Sequence, residues 1–259
     1  MEIALSFVLA GVWISGATLL GEKLGSKRAG LITNLPSSIL LSLIFMALTM
    51  GPEYAAATTK GIPVGMTIDT LFTFVFILMA RKGLSKALTI SLIVWAITAY
   101  VFIKLIPPLG MAGAIGLYVL VTALCFILAE GVLHIRSVPH KETTFSWKQI
   151  LLRALFAGTV VAGAVTIAQF APPYMTGILA TFPAVLSSTL VIFTLSQGAD
   201  FARATGKILI LSSSNIIIYA WIAGLTFPSL GPWIGTILSF ATSVAYVALL
   251  VSLPQRSNK

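Results

Sequence analysis

A chain of 259 residues in which 58% are hydrophobic and 9% charged lacks the charged surface of a water-soluble domain, where about a quarter of residues carry charge. Its mean hydropathy of +1.03 and its long unbroken apolar runs exclude a soluble fold, and also a transmembrane β-barrel, which would alternate over segments of about ten residues. The formal charge of +9 comes from basic residues in short polar stretches, without the aromatic-interleaved basic patch of a nucleic-acid surface.

A hydrocarbon core roughly 30 Å thick takes about 20 apolar residues to cross. No water satisfies the backbone there, so each run must close its own hydrogen bonds as a helix. The runs predict an all-α, polytopic integral membrane protein of about nine transmembrane helices, at 3–21, 30–50, 61–80, 87–106, 110–129, 150–170, 175–195, 207–226 and 230–252. Glu2 follows Met1, and the basic cluster Lys23, Lys27 and Arg28 comes after the first run. That order reads as a retained first helix with its N-terminus outside, and not as a cleaved signal peptide. Pro107 and Pro108 stand between the fourth and fifth runs and predict a tight reversal, because proline breaks the helical ladder. The single cysteine, Cys125, sits in an apolar run and reads as a buried structural thiol.

Alternating the runs across a bilayer assigns fourteen of the sixteen Lys and Arg residues to one side and only Lys60 and Lys104 to the other. Cytoplasmic loops are enriched in Lys and Arg. The expected location is therefore a multi-pass position in the plasma (inner) membrane, with the C-terminus and the 130–149 loop in the cytoplasm. Trp147 and Trp233 fall near predicted helix ends, where indoles favour the interface.

Residues 29–60 and 176–207 align without a gap at an offset of 147. Gly30 pairs with Gly177, Pro36 with Pro183, Gly51 with Gly198, Glu53 with Asp200, Tyr54 with Phe201, Thr58 with Thr205 and Lys60 with Lys207. Two apolar helices resemble each other by composition, but composition does not match glycine, proline, acid, aromatic and lysine positions together. The expectation is a duplicated four-helix unit: 1–106 as the first copy, 107–149 as a linking helix and cytoplasmic loop, and 150–259 as the second copy. An even-numbered unit followed by one further crossing starts the second copy from the opposite face, which predicts inverted topology, a construction common in secondary transporters.

The second copy reads G-I-L-A-T-F-P over residues 177–183 and then G-A-D-F-A-R-A-T over 198–205. That pattern resembles the GlpM-like family of small four-helix bacterial membrane proteins over the seventh and eighth predicted helices. The first copy departs from it, with Leu35 before the proline and Ala56 where Arg203 stands. The resemblance implies a four-helix fold unit in a fused, double-length form; it implies no substrate.

Asp69 is the one acidic residue deep within a predicted helix, about 13 Å from its start at 1.5 Å per residue. Ionisable groups at such depth usually face a protein interior or a water path; the alternative is a hydrogen-bonded acid tying two helices together. Thr67, Thr70 and Thr73 share its segment, and Ser212, Ser213, Ser214 and Asn215 occupy the corresponding region of the second copy. Any one of these hydroxyls is as readily explained by bonding to a preceding carbonyl. Pro36 and Pro183 fall inside the second and seventh predicted helices, flanked by Asn34, Ser37 and Ser38 in one and by Thr181 in the other. Broken helices at matched positions expose backbone groups that can bind a solute, although simple kinks are common in membrane helices.

Glu130 and His134 are four apart and would share a helix face, with His140 nearby, but no third metal ligand accompanies them. No nucleophile–base pair, P-loop or dinucleotide motif is present, so no enzymatic activity, metal or cofactor is expected. The favoured expectation is a secondary transporter or permease for a small polar or ionic solute. Asp69, Asn34, Pro36, Ser37, Ser38, Thr67, Thr181, Pro183, Ser212, Ser213, Ser214 and Asn215 form its candidate site, and Asp69 its proton carrier. The competing expectation is a non-transporting scaffold or accessory subunit; a lipid-directed enzyme using Glu130, His134 and His140 ranks below both.

Overall fold

The computed structural model describes residues 4–9, 11–12, 36–136 and 147–252. Among them the chain is helical, with no strands. Six apolar stretches are long enough to cross a membrane: Pro52–Lys82, Leu84–Lys104, Met111–Val132, Trp147–Ala168, Pro173–Gln197 and Ala199–Leu249; Ser37–Met50 is a shorter apolar helix. Of the predicted 3–21 run, residues 4–9 and 11–12 are helical and the rest lies outside the described residues.

Helix α1, Ser37–Met50, ends at Gly51, whose φ of +91° is one that glycine adopts without penalty. Pro52 then starts α2, Pro52–Thr58, in the first helical turn, where its missing N–H costs nothing. A 3₁₀ turn at Thr59–Gly61 passes α2 into α3, Ile62–Met79. The polar stretch 52–60, expected as a loop, is therefore helix continuous with the predicted third span. Tyr54 accounts for the difference: its hydroxyl donates to the Ala171 carbonyl at 2.7 Å and lies 2.9 Å from the Thr176 hydroxyl, so its polarity is met inside the protein.

Gly83, at φ +111°, turns the chain into α4, Leu84–Lys104. Residues 106–110 are non-helical, as the two prolines require, and α5, Met111–Ile127, follows and ends in a π turn at Leu128–Val132. His134 lies beyond that turn with φ +48°, so it does not share a helix face with Glu130. Glu130 instead pairs with Lys207, whose ammonium also donates to the Ile135 carbonyl at 2.6 Å. His140 lies outside the described residues.

After α6, Trp147–Ala168, the predicted seventh helix is split into α7, Pro173–Ala180, and α8, Ala184–Gln197, with Pro183 at the break. Gly198 at φ +93° leads into α9, Ala199–Ser212. The stretch 199–206, expected as a loop, is therefore also helix. Helix α10, Ser214–Ser252, contains one non-helical residue, Gly231. The 51-residue run Ala199–Leu249 would be roughly 75 Å long if straight, more than twice the hydrocarbon core; Gly231 divides it.

The two stretches aligned at an offset of 147 have matching backbones. Pro36 has φ −76° and ψ 46°, Pro183 φ −78° and ψ 45°; each opens a 14-residue helix that ends on a positive-φ glycine. Helix α3 lies at the centre, with Ile62, Val64, Ile68, Phe72, Phe76 and Ile77 all fully buried. Helices α4 and α5 expose Ile93, Ile97, Val119, Leu120 and Leu124, the apolar outer surface suited to lipid. The lone thiol of Cys125 is buried.

Candidate functional site: a cavity at two helix starts

Both prolines act by starting a helix, not by kinking one. Neither N-cap has a side-chain hydrogen bond, and the first intrahelical bonds run from Leu40 N to Pro36 O and from Ser187 N to Pro183 O, each 2.8 Å. The preceding amides of each helix have no intrahelical carbonyl to reach. They belong to Ser37, Ser38 and Ile39 in α1 and to Ala184, Val185 and Leu186 in α8; Ala184 N finds Phe182 O at 2.7 Å. On the other side of the second break, α7 closes with Thr181 Oγ1 donating to Ile178 O at 2.8 Å.

These two helix starts line one cavity of about 120 Å³, and Asp69 lines it with them. That volume is the liquid share of roughly four water molecules. Asp69 lies halfway along α3 and is 4% exposed. Its Oδ1 accepts a hydrogen bond from Trp95 Nε1 at 2.9 Å. The indole in turn meets the Phe182 ring edge-on, centroids 5.0 Å apart, so one chain of contacts joins the acid to the break at Pro183. Ser212, Ser213 and Asn215 close the cavity where α9 gives way to α10.

Nine of the twelve sequence-derived candidates thus meet around one space: Pro36, Ser37, Ser38, Asp69, Thr181, Pro183, Ser212, Ser213 and Asn215. Thr67 does not join them; its hydroxyl donates to Pro63 O at 2.9 Å. Thr70 and Thr73 likewise bond back to Met66 O and Asp69 O, the usual satisfaction of a hydroxyl in a membrane helix. Ser214 bonds to Leu211 O and meets the Tyr246 hydroxyl at 2.9 Å, away from the cavity. Asn34 lies outside the described residues.

Three contributors were missed. Trp95 holds the acid, Thr189 of α8 lines the cavity, and Tyr118 of α5 places its hydroxyl 3.1 Å from Ser213 Oγ. A buried indole N–H seeks an acceptor, and Asp69 is the only carboxylate deep in a predicted helix; that reasoning would have paired Trp95 with it.

Close helix packing fixes the cavity wall. A Cβ added at Gly61 would fall within contact distance of Tyr174 O, one at Gly65 on Thr181 Oγ1, and one at Gly177 on Thr58 O. Gly61 and Gly65 form a small-xxx-small face that brings α3 and α7 into backbone contact. Helix α3 and the α9–α10 segment run antiparallel. Ile77 lies against Gly206, Asp69 shares the cavity with Ser213, and Thr59 lies against Gly224.

No curated protein and no solved structure matches the chain. Residues 3–106, less than half of the chain, match the model of a family described as a protein of unknown function (DUF3147).

Proposed function

We propose that this membrane protein is a secondary transporter that moves a small polar or ionic solute by alternating access, with proton exchange at Asp69. In this reading two four-helix units, 1–106 and 150–259, lie in inverted topology and, with the linking helix, make nine spans. The observation that carries it is the convergence of Asp69, both proline breaks and the Ser212–Asn215 segment on one cavity. Helix breaks facing one another at a repeat interface are the usual binding site of such transporters.

The contacts support the symmetry. Thr59 meets Gly224 and Ile77 meets Gly206; adding 147 to the first residue of each pair gives the second residue of the other. A two-fold operation relating the copies exchanges contacts in this way. The antiparallel run of the paired helices puts that axis across them, as inverted topology requires. The GlpM-like pattern in the second copy and the family match over 3–106 are both in keeping with a unit of half this length.

The test uses single cysteines at Ser38 and Val185, which line the two helix starts, in a Cys125→Ser background. Both are expected to react with an impermeant methanethiosulfonate reagent from either face of sealed vesicles, as the cavity opens to each side in turn. Reaction from one face only, or from neither, contradicts alternating access and favours a scaffold.

A further inference from the structure

A second cavity lies away from Asp69, where three span ends meet. Arg81 sits in the 3₁₀ turn that closes Pro52–Lys82, Arg203 in the second turn of α9, and Arg136 just beyond Met111–Val132. These three arginines, His134 and Asp200 line a space of about 240 Å³, the liquid share of roughly eight water molecules.

Among the described residues the charges there do not balance. Arg81 Nε donates to Asp200 Oδ1 at 2.8 Å, and Arg203 Nη1 approaches the same oxygen at 3.4 Å. One carboxylate oxygen therefore answers two guanidinium groups, and Arg136 adds a third positive charge. Arg203 is held in place: its side chain is 11% exposed and its Nε donates to Ile77 O at 3.0 Å. Each guanidinium has five N–H donors in a fixed fork. Using Nε and a single terminal donor for these bonds leaves terminal N–H groups on both arginines. The third wall is equally fixed. The Leu133–Arg136 turn is folded back by His134 at φ +48°, with Ile135 N donating to Ala129 O at 3.2 Å and Ile135 O accepting from Lys207. Lys207 is itself matched by Glu130, so among the described residues the uncompensated charge belongs to the arginines.

We propose that this cavity binds a phosphate group, as the headgroup of an anionic phospholipid or as a free phosphate. Forked guanidiniums grip the oxygens of a tetrahedral anion bidentately, and basic pockets at the ends of membrane helices are suited to lipid headgroups. Asp200 sets the register of two of the arginines and competes with the ligand for their donors. The proposal does not depend on transport through the Asp69 cavity.

The experiment is native mass spectrometry and thermal unfolding of the purified, delipidated full-length protein in a maltoside detergent. Three probes are added separately: inorganic phosphate, phosphatidylglycerol, and phosphatidylcholine as the control without net charge. Saturable binding of phosphatidylglycerol above phosphatidylcholine, with a raised unfolding temperature, assigns the headgroup; the same result with inorganic phosphate assigns the free anion. In either case Arg136→Gln is expected to weaken binding about tenfold, and Asp200→Asn to leave it unchanged or tighten it. Arg136 is largely exposed, so its variant reads the site even where Arg203→Gln fails to fold. No saturable binding of either anionic probe, or binding that Arg136→Gln leaves unchanged, overturns the proposal.

Discussion

On the proposed transport reading, Asp69→Asn is expected to abolish proton-coupled flux while leaving the protein folded. Asparagine keeps the size of the side chain, and its amide oxygen accepts the Trp95 indole N–H that now meets Oδ1 at 2.9 Å. The helix–helix tie therefore survives, and so do the helix starts at Pro36 and Pro183. What is lost is the only acidic group among the described cavity-lining residues. An ionisable residue at this depth is expensive to keep, and a neutral amide of the same shape would fulfil a merely structural role at lower cost. Proteoliposomes loaded with a pH-sensitive dye are the assay, with any solute that the wild-type protein couples to proton movement. The variant is expected to lose about tenfold or more of the solute-driven pH change, equivalent to at least ~1.4 kcal/mol, while eluting as the wild type does on size exclusion. Undiminished flux would make Asp69 a structural tie and remove it from the mechanism.

The second large effect is on stability. Gly177→Val inserts a branched side chain where even a Cβ would collide with the Thr58 carbonyl, and Gly61→Val does the same against the Tyr174 carbonyl. Backbone oxygens of two helices cannot give way as the tip of a flexible side chain can. Overpacking usually costs about 1–3 kcal/mol, with more where the backbone must move, so about 3 kcal/mol is expected at either position. Both glycines act at one interface, so the double variant should fall short of the sum. Separating α7 from α3 also draws Thr181 off Gly65 and so distorts the cavity wall. The measurement is the midpoint of thermal unfolding in detergent, with Gly116→Val as the control, because a Cβ at Gly116 meets nothing within 4 Å. Near-wild-type midpoints for Gly61→Val and Gly177→Val would mean that this helix contact is not what holds the cavity together.

Hydropathy made the helical class legible, and with it six stretches long and apolar enough to cross a membrane, because a run of apolar residues in lipid has only one way to satisfy its backbone. The matched prolines and glycines were legible as positions but not in their role: Pro36 and Pro183, read as lying inside helices, each stand at a helix start, and Gly51 and Gly198 each end the helix that follows. The extents of the helices at 52–60 and 199–206 were not legible. Hydropathy treats Glu53, Tyr54, Arg203 and Lys207 as residues that must leave the protein. Tyr54 instead reaches Ala171, Arg203 reaches Ile77, and Lys207 reaches Glu130, each across more than 70 residues of sequence. Partners that distant leave no local trace. The same limit explains the site. Asp69 was conspicuous as a solitary acid, but its donor Trp95 is 26 residues away and looks like any aromatic in an apolar helix. Thr67 and Ser214 were included by their place in the chain, beside Asp69 and within the Ser212–Asn215 run; only the direction of a hydroxyl, which place in the chain does not encode, separates them from Ser213.

Everything proposed for the Asp69 cavity depends on the two copies lying in opposite orientations. Positions 53 and 200 test this most directly: they are equivalent at the offset of 147, both are exposed, and each follows a positive-φ glycine corner. Single cysteines placed there in a Cys125→Ser background can be labelled with an impermeant maleimide in right-side-out and inverted vesicles. Labelling of 53 only from outside and of 200 only from the cytoplasmic face is the predicted result. Labelling of both from the same face would contradict the inverted arrangement and the transport reading built on it.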